Sequence, residues 1–348
     1  MSVKTSKFGT TKKGDKITLY TITNKNGTEA AITDLGAILV AFRMKDKNGK
    51  VKDLVLGFDE AKPYLKDTNH YGATMGPIAN RTAKARFVLN GKEYQLKVND
   101  GENNLHTSQK KGFHRNLFKG HAEDNSVTFT MEKEDMAMGH PGNMKVKVTY
   151  TLTDEDEIVI HYHATTDKET YINLTNHSYF NLNGHDSGTI FHEKVQINAT
   201  HYTPVVKGGI PTGEIAPVKG TVMDFTELKE VCKDFTYNDR QIELCNGYDH
   251  NFVLDNYDGN VREVATVEDE ISGICMSVLT DLPGIQFYTA NWVSEKAAKD
   301  GVPYGPRQGL CLETQFYPNS VNEEKFPRPL FGPDKPFDST TIYRFFVK

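Results

Sequence analysis

The sequence predicts an all-β protein, a large antiparallel β-sandwich with few, short helices. Three observations carry that prediction. Asn-Gly, a strong hairpin signal because both residues tolerate positive φ, occurs at Asn26-Gly27, Asn48-Gly49, Asn90-Gly91, Asn183-Gly184 and Asn246-Gly247. Many segments alternate apolar and polar residues, or run apolar for a few residues, and are rich in Val, Ile, Thr, Tyr and Phe. Helical periodicity is confined to TELKEVCKDF from Thr226 and SEKAAKDG from Ser294, both shorter than a domain-building helix.

Taken in order, AFRMKDKNGKVKDLVLGF from Ala41 predicts two strands about Asn48-Gly49, and RFVLNGKEYQ from Arg86 predicts a two-residue hairpin about Asn90-Gly91. Further strands are expected at MKVKVTYTL from Met144, EIVIHYHA from Glu157, KVQINA from Lys194, ICMSVLT from Ile274 and GIQFYTA from Gly284. No Pro/Ser-rich linker, low-complexity tract or repeat divides the chain. Residues 1–348 are therefore expected to form a single domain of two large packed sheets.

Composition excludes several classes of function. A formal net charge of -5 gives no general attraction to polyanions, so nucleic acid is not an expected partner. The opening MSVKTSKFGT lacks the apolar stretch of a secretory signal, and no run of about 18 apolar residues would span a membrane, so a cytoplasmic location without membrane contact is expected. Cys232, Cys245, Cys275 and Cys311 have no C-x-x-C spacing; they are expected to be reduced thiols. N-x-S/T triplets at Asn26, Asn80, Asn173, Asn176 and Asn198, two of them inside candidate site motifs, also favour the cytosol. His161 and His163 would share one strand face as zinc ligands might, but without a third ligand nearby they are expected to be ordinary sheet residues. A monomer or homodimer is expected.

Five islands carry groups that bind or ionise without a structural need for them: GPIANR from Gly76, NNLHTSQKKGF from Asn103, TNHSYFNL from Thr175, GYDHNFVL from Gly247 and ETQFYP from Glu313. In an antiparallel sandwich such distant segments can converge, lining a concave site with Arg81, His106, His177, Asp249 and Glu313. A histidine with an ordinary pKa of about 6.5 and a glutamate at about 4.3 suit proton movement between two oxygens near neutral pH. Tyr179, Phe180, Tyr288 and Phe316 would offer flat apolar faces to a sugar ring.

In this order the islands resemble the aldose 1-epimerase (galactose mutarotase) family. GHPGNMKVKVTYTL from Gly139 and FPRPLFGPDKPF from Phe326 extend the resemblance over nearly the whole chain. It implies a galactose mutarotase-like supersandwich that interconverts the α and β anomers of D-galactose and D-glucose without a cofactor or metal. By position, Glu313 matches the family's base, His177 its acid and His106 a second site histidine. Asn80, Arg81, Asp249 and Gln286 fall where the family has ligands for sugar hydroxyls. Pro77 stands in place of a common arginine, Thr107 and Ser108 in place of a Gly pair, Phe118 in place of a tryptophan and Asn319 in place of an aspartate. The absence of a Gly-rich phosphate loop and of H-E-x-x-H agrees with acid–base chemistry alone.

Three other readings are open at this point. A glycoside hydrolase would use Glu313 with Asp249 as its two carboxyl groups. A hexose-6-phosphate 1-epimerase would need cations at the far end of the sugar, for which Arg81, Lys84, Arg86 and Arg115 are the nearby candidates. A non-catalytic sugar-binding protein would need neither the acid nor the base.

Overall fold

A computed structural model describes residues 2–348. Its largest sheet has nine strands in the order Lys119–Glu123, Ser126–Lys133, Met144–Leu152, Glu157–Thr166, Phe337–Val347, Ile274–Thr280, Arg262–Glu268, Lys194–Ile197 and Lys229–Glu230. All of these pair antiparallel. An amino-terminal sheet runs in simple sequence order through Ser2–Thr10, Lys16–Thr23, Glu29–Thr33, Ile38–Lys45 and Val51–Asp53. Inward residues of both sheets, among them Ile32, Leu39 and Phe42 from one and Val148, Tyr162 and Val278 from the other, share one apolar cluster. That is the predicted sandwich: period-two strands bury one face against another sheet.

The hairpins at Asn48-Gly49 and Asn90-Gly91 form as predicted, the second with Leu89 opposite Lys92 across a two-residue turn. Asn26-Gly27 also joins two paired strands. Two Asn-Gly pairs do other work. Asn183-Gly184 lies in a connection, and Asn246-Gly247 ends the helix Arg240–Cys245, with Asn246 left-handed at φ 53°. The same tolerance of positive φ that favours a hairpin also favours a helix C-terminus.

Both helical expectations are corrected. In TELKEVCKDF, Lys229 and Val231 are buried while Leu228, Glu230 and Cys232 are exposed, a period of two, and Lys229–Glu230 pairs at the sheet edge with Lys194–Ile197. Lys229 can face inward because its ammonium lies over the Phe225 ring and pairs with Asp234 at 2.5 Å. SEKAAKDG forms only a single 3-10 turn, Lys299–Gly301, because the Lys299 ammonium is drawn inward to Asp53 and to the Val40 and Val55 carbonyls.

A third sheet positions the functional groups: Ala216–Pro217, His201–Tyr202, Asp249–Val253, Gly284–Tyr288 and Cys311–Gln315. Backbone bridges from Phe180 to Val55 and to Leu310 connect it with the amino-terminal sheet. No helix among the described residues is long and apolar enough to cross a membrane. The four cysteines are free thiols, three of them buried.

Candidate active site

In the third sheet, pairing sets Asp249 opposite Tyr288, Asn251 opposite Gln286, Gln286 opposite Glu313 and Tyr288 opposite Cys311. Directly opposed residues point to the same side, and residues two apart on one strand do too. Asp249, Gln286, Tyr288, Cys311 and Glu313 therefore share a face. Phe252, Ile285, Phe287 and Leu312 take the other and join the core. A slip of one residue would bury the polar row in that core and expose the aromatics, so packing holds the register.

The polar row is cross-braced. Gln315 donates to Gln286 Oε1 at 3.1 Å, and Gln286 donates to Asp249 Oδ1 at 2.6 Å. Arg81 donates from Nη1 to Asp249 Oδ2 at 3.2 Å and from Nε to Asp100 Oδ2 at 3.0 Å. Both oxygens of Asp249 are thus engaged. Glu313 is different: it is 2% exposed, and its Oε2 has no hydrogen-bond partner. A buried carboxylate oxygen left unsatisfied is costly to the fold, which marks it as a group held for a ligand.

His177 follows the short strand Thr175–Asn176, which pairs with Thr74–Met75. Its N–H donates to the Ala73 carbonyl and its own carbonyl accepts from Gly72, both at 2.9 Å. Gly72 has φ +65°, and a β-carbon there would lie 2.1 Å from the Leu39 carbonyl oxygen, so only glycine permits this close approach. The imidazole so placed sets Nε2 3.8 Å from Glu313 Oε1 and Nδ1 3.6 Å from Cys311 Sγ. His106 comes from the far side of the site. Its Nδ1 accepts from the Asn80 N–H at 3.1 Å and its own N–H donates to the Asn80 carbonyl at 3.0 Å, with both residues left-handed. Because a backbone N–H can only donate, Nδ1 carries no proton, and His106 offers Nε2 to the cavity.

These groups surround a cavity of about 140 Å³ lined by Asn80, Arg81, His106, His177, Asp249 and Glu313, with Tyr179, Tyr288 and exposed Trp292 at its walls. Six of the seven residues proposed from sequence line it. Gln286 lies behind Asp249, which its amide holds in place. Of the aromatic candidates, Tyr179 and Tyr288 reach the cavity, whereas Phe180 and Phe316 belong to the core. Pro77, Thr107, Ser108, Phe118 and Asn319 do not line it either. A larger groove of about 940 Å³ beside Lys219 and Lys229 gathers no histidine. Size alone does not locate chemistry; convergence of ionisable groups does.

Burial reverses the ordinary order of the two proton carriers. It pushes the Glu313 carboxyl well above its usual range, the Asp249 charge pushing further and Arg81 pulling back. It brings the His177 imidazole down to about 4. His106 is held well below the ordinary histidine value by burial and by His177 and Arg81. Sequence reasoning missed His70, a buried histidine whose ring centroid lies 5.1 Å from that of His106 and 5.7 Å from that of His177. It also missed Trp292. Neither stands in a periodic pattern that singles it out, although Trp292 is the chain's one tryptophan.

Comparison with known proteins bears on the same geometry. The family model described as aldose 1-epimerase matches residues 18–344. The galactose mutarotase of Bos taurus is 42% identical over 317 residues, 91% of this chain and 90% of the relative. The aldose 1-epimerase of Escherichia coli is 34% identical over 338 residues, 96% and 97% of the two chains. Among solved structures, a GalM/aldose epimerase homologue from C. elegans superimposes with a TM-score of 0.87 at 30% identity, over 94% of this chain and 98% of its own.

Proposed function

The chain belongs to the aldose 1-epimerase family, and from that premise we propose that its cavity opens and recloses the ring of a free aldohexose such as galactose or glucose, interconverting the α and β anomers. The observation that carries this reading is the buried pair of His177 and Glu313, 3.8 Å apart, with one Glu313 oxygen lacking a partner. The two oxygens to be served, O1 and the ring oxygen, hang on one carbon, so the acid and base must converge on one spot.

Glu313 takes the O1 proton while His177 gives its proton to the ring oxygen; the bond from C1 to the ring oxygen breaks and C1–O1 becomes a carbonyl. Rotation about C1–C2 turns the other face of the aldehyde to the ring hydroxyl. That oxygen attacks C1 and returns its proton to His177, and Glu313 returns its own to O1. Each half-reaction moves one proton onto the pair and one off it, so no proton, electron or group is left over. Burial favours protonated Glu313 with neutral His177, the arrangement reached when the ring is open. By microscopic reversibility every turnover passes through both arrangements. His106 Nε2, Asn80, Arg81 and Asp249 hold the sugar hydroxyls.

The other readings have less support. A hydrolase needs a second carboxyl group able to act as acid or nucleophile, and both Asp249 oxygens are engaged by Arg81 and Gln286. For a sugar phosphate, Arg81 is the one cation among the lining residues and already faces two carboxylates. Arg115 is turned to the Tyr64, Asp67 and Gln109 carbonyls, and Arg86 to Glu93. A plain binder does not need both an acid and a base, and this cavity holds His177 beside Glu313. Lining residues drawn from Thr68 to Glu313 support a single functional unit, and four free thiols suit a reducing cytosol. Polarimetry of freshly dissolved α-D-galactose tests the proposal: rapid equilibration by the protein, with no nitrophenol from nitrophenyl galactosides, is expected. Steady nitrophenol release, or no gain over buffer in either assay, would overturn it.

A further inference from the structure

Thr68, Asn69 and His70 form one rim of the cavity. The shape of this loop is imposed by its neighbours. The Asp67 carboxylate accepts from the N–H groups of Asn69 and Tyr71, Tyr179 donates its hydroxyl proton to the Asn69 carbonyl, and Arg115 donates to the Asp67 carbonyl. Held between these anchors, His70 is left-handed at φ 61°, a conformation uncommon outside glycine that persists where the surroundings over-determine it. It is 5% exposed, and its Nε2 is buried without a hydrogen-bond partner. Proton transfer as described above uses His177 and Glu313, so nothing in that chemistry accounts for His70. An orphaned ring nitrogen in a cavity wall is costly to the fold until a ligand satisfies it.

We infer that His70 is a further sugar-binding residue, and that His70 and His106 together hold one hydroxyl next to the reacting carbon. The identity of the ligand rests on the epimerase reading. The two rings have centroids 5.1 Å apart, and one ring nitrogen from each of His70, His106 and His177 lies within 4.8 Å of the others. Two nitrogens 4.8 Å apart, each about 2.9 Å from a shared oxygen, subtend an angle of about 112° there, close to tetrahedral. His106 supplies the donor: its Nδ1 accepts from the Asn80 N–H, so the ring proton sits on Nε2. Burial, with His114 and His106 next in effect, holds His70 well below the ordinary histidine value, so its ring is uncharged and one nitrogen can accept. A hydroxyl accepts from His106 and donates to His70, whereas an ether oxygen cannot donate. Glu313 serves O1 and His177 the ring oxygen. The hydroxyls next along the sugar from those two atoms are the ones on C2 and C6.

Binding, read by calorimetry, tests the contact apart from turnover. Galactose, 2-deoxygalactose and 6-deoxygalactose are titrated into the wild type and into His70→Phe, which keeps a ring but no nitrogen. His70→Asn, which suits a left-handed backbone, serves as the second variant if circular dichroism shows His70→Phe misfolded. The wild type should bind one of the two deoxy sugars at least about fivefold more weakly than galactose, because two hydrogen bonds are lost, and that penalty should shrink at least about threefold in the variants. The penalty for the other deoxy sugar should stay as it is. In polarimetry the variants should raise KM for galactose at least about threefold and change kcat little, since His70 carries no proton in the reaction. Unchanged galactose affinity in a folded variant, wild-type penalties for both deoxy sugars in the variants, or a collapse of kcat at unchanged KM would each overturn the contact. A wild type that binds these sugars as expected but never equilibrates galactose would refute the epimerase reading alone. Rapid equilibration by the wild type, with unaltered binding in the variants, would refute the His70 contact alone.

Discussion

Glu313 is buried with an oxygen that nothing in the fold satisfies, so its charge opposes folding as it enables chemistry. Glu313→Gln keeps the shape and removes the base. We expect kcat to fall by at least about a hundred-fold, as for other positioned bases, while the thermal midpoint stays level or rises. Wild-type turnover in that variant, or a clear drop in its melting temperature, would contradict this assignment. Asp249 is the contrasting carboxylate, since Arg81 and Gln286 engage both its oxygens. Asp249→Asn should act mainly on KM, because an amide keeps one acceptor and loses the charge-assisted strength toward Arg81 and sugar hydroxyls. A collapse of kcat at unchanged KM would give Asp249 a chemical role. Both residues stand out in their sequence motifs. What the motifs do not reveal is that one carboxylate is satisfied and the other is not, since that depends on partners 168 and 37 residues away for Asp249.

At the scale of the element, two loops carry the strain that shapes the site. Thr107 is left-handed at φ 62°, uncommon for a β-branched residue, yet its hydroxyl both accepts from the Ile78 N–H and donates to the Ile78 carbonyl at 3.0 Å. Replacing it with glycine relieves the strain but orphans two buried backbone groups. Thr107→Gly should therefore cost roughly 1–3 kcal/mol by chemical denaturation, and a gain in stability would show that strain dominates. Gly209, at φ 70°, closes over Arg81: a β-carbon there would lie 2.8 Å from the guanidinium carbon. Gly209→Ala should push the guanidinium from between Asp100 and Asp249 and raise KM, with a left-handed penalty of about 1 kcal/mol. Unchanged KM would detach this loop from the site.

Over the whole molecule, buried histidines should dominate the response to acid. Burial alone brings His140 down to about 4; its ring stacks on Phe87 with centroids 5.4 Å apart, and neither nitrogen has a partner. His250 is likewise brought down to about 4, chiefly by burial. Between about pH 4 and 6.5 the unfolded chain binds these protons and the native protein does not, so stability rises with pH through that window and is lost as pH falls. Melting curves should show a lower midpoint at pH 5 than at pH 7.5. His140→Phe should reduce the difference in unfolding free energy between those two pH values by an amount on the order of 2 kcal/mol. An equal loss in the variant would place the acid sensitivity elsewhere.

The strand pattern, the hairpins at Gly49 and Gly91 and the five chemical islands were all legible in the sequence, because alternation and turn chemistry are decided between near neighbours. The same local rules misjudged Asn246-Gly247 and TELKEVCKDF, where positive φ and a short charged stretch each suit two structures and the surrounding sheet chose between them. The family resemblance pointed to His177 and Glu313 as acid and base. Only the tertiary structure brought His70 against His106 and His177, engaged both oxygens of Asp249 and inverted the ordinary pKa order of the proton carriers. Desolvation and pairing depend on which atoms surround a group in space, and in an antiparallel sandwich those atoms come from segments far apart in the chain, here 37 and 168 residues for the partners of Asp249.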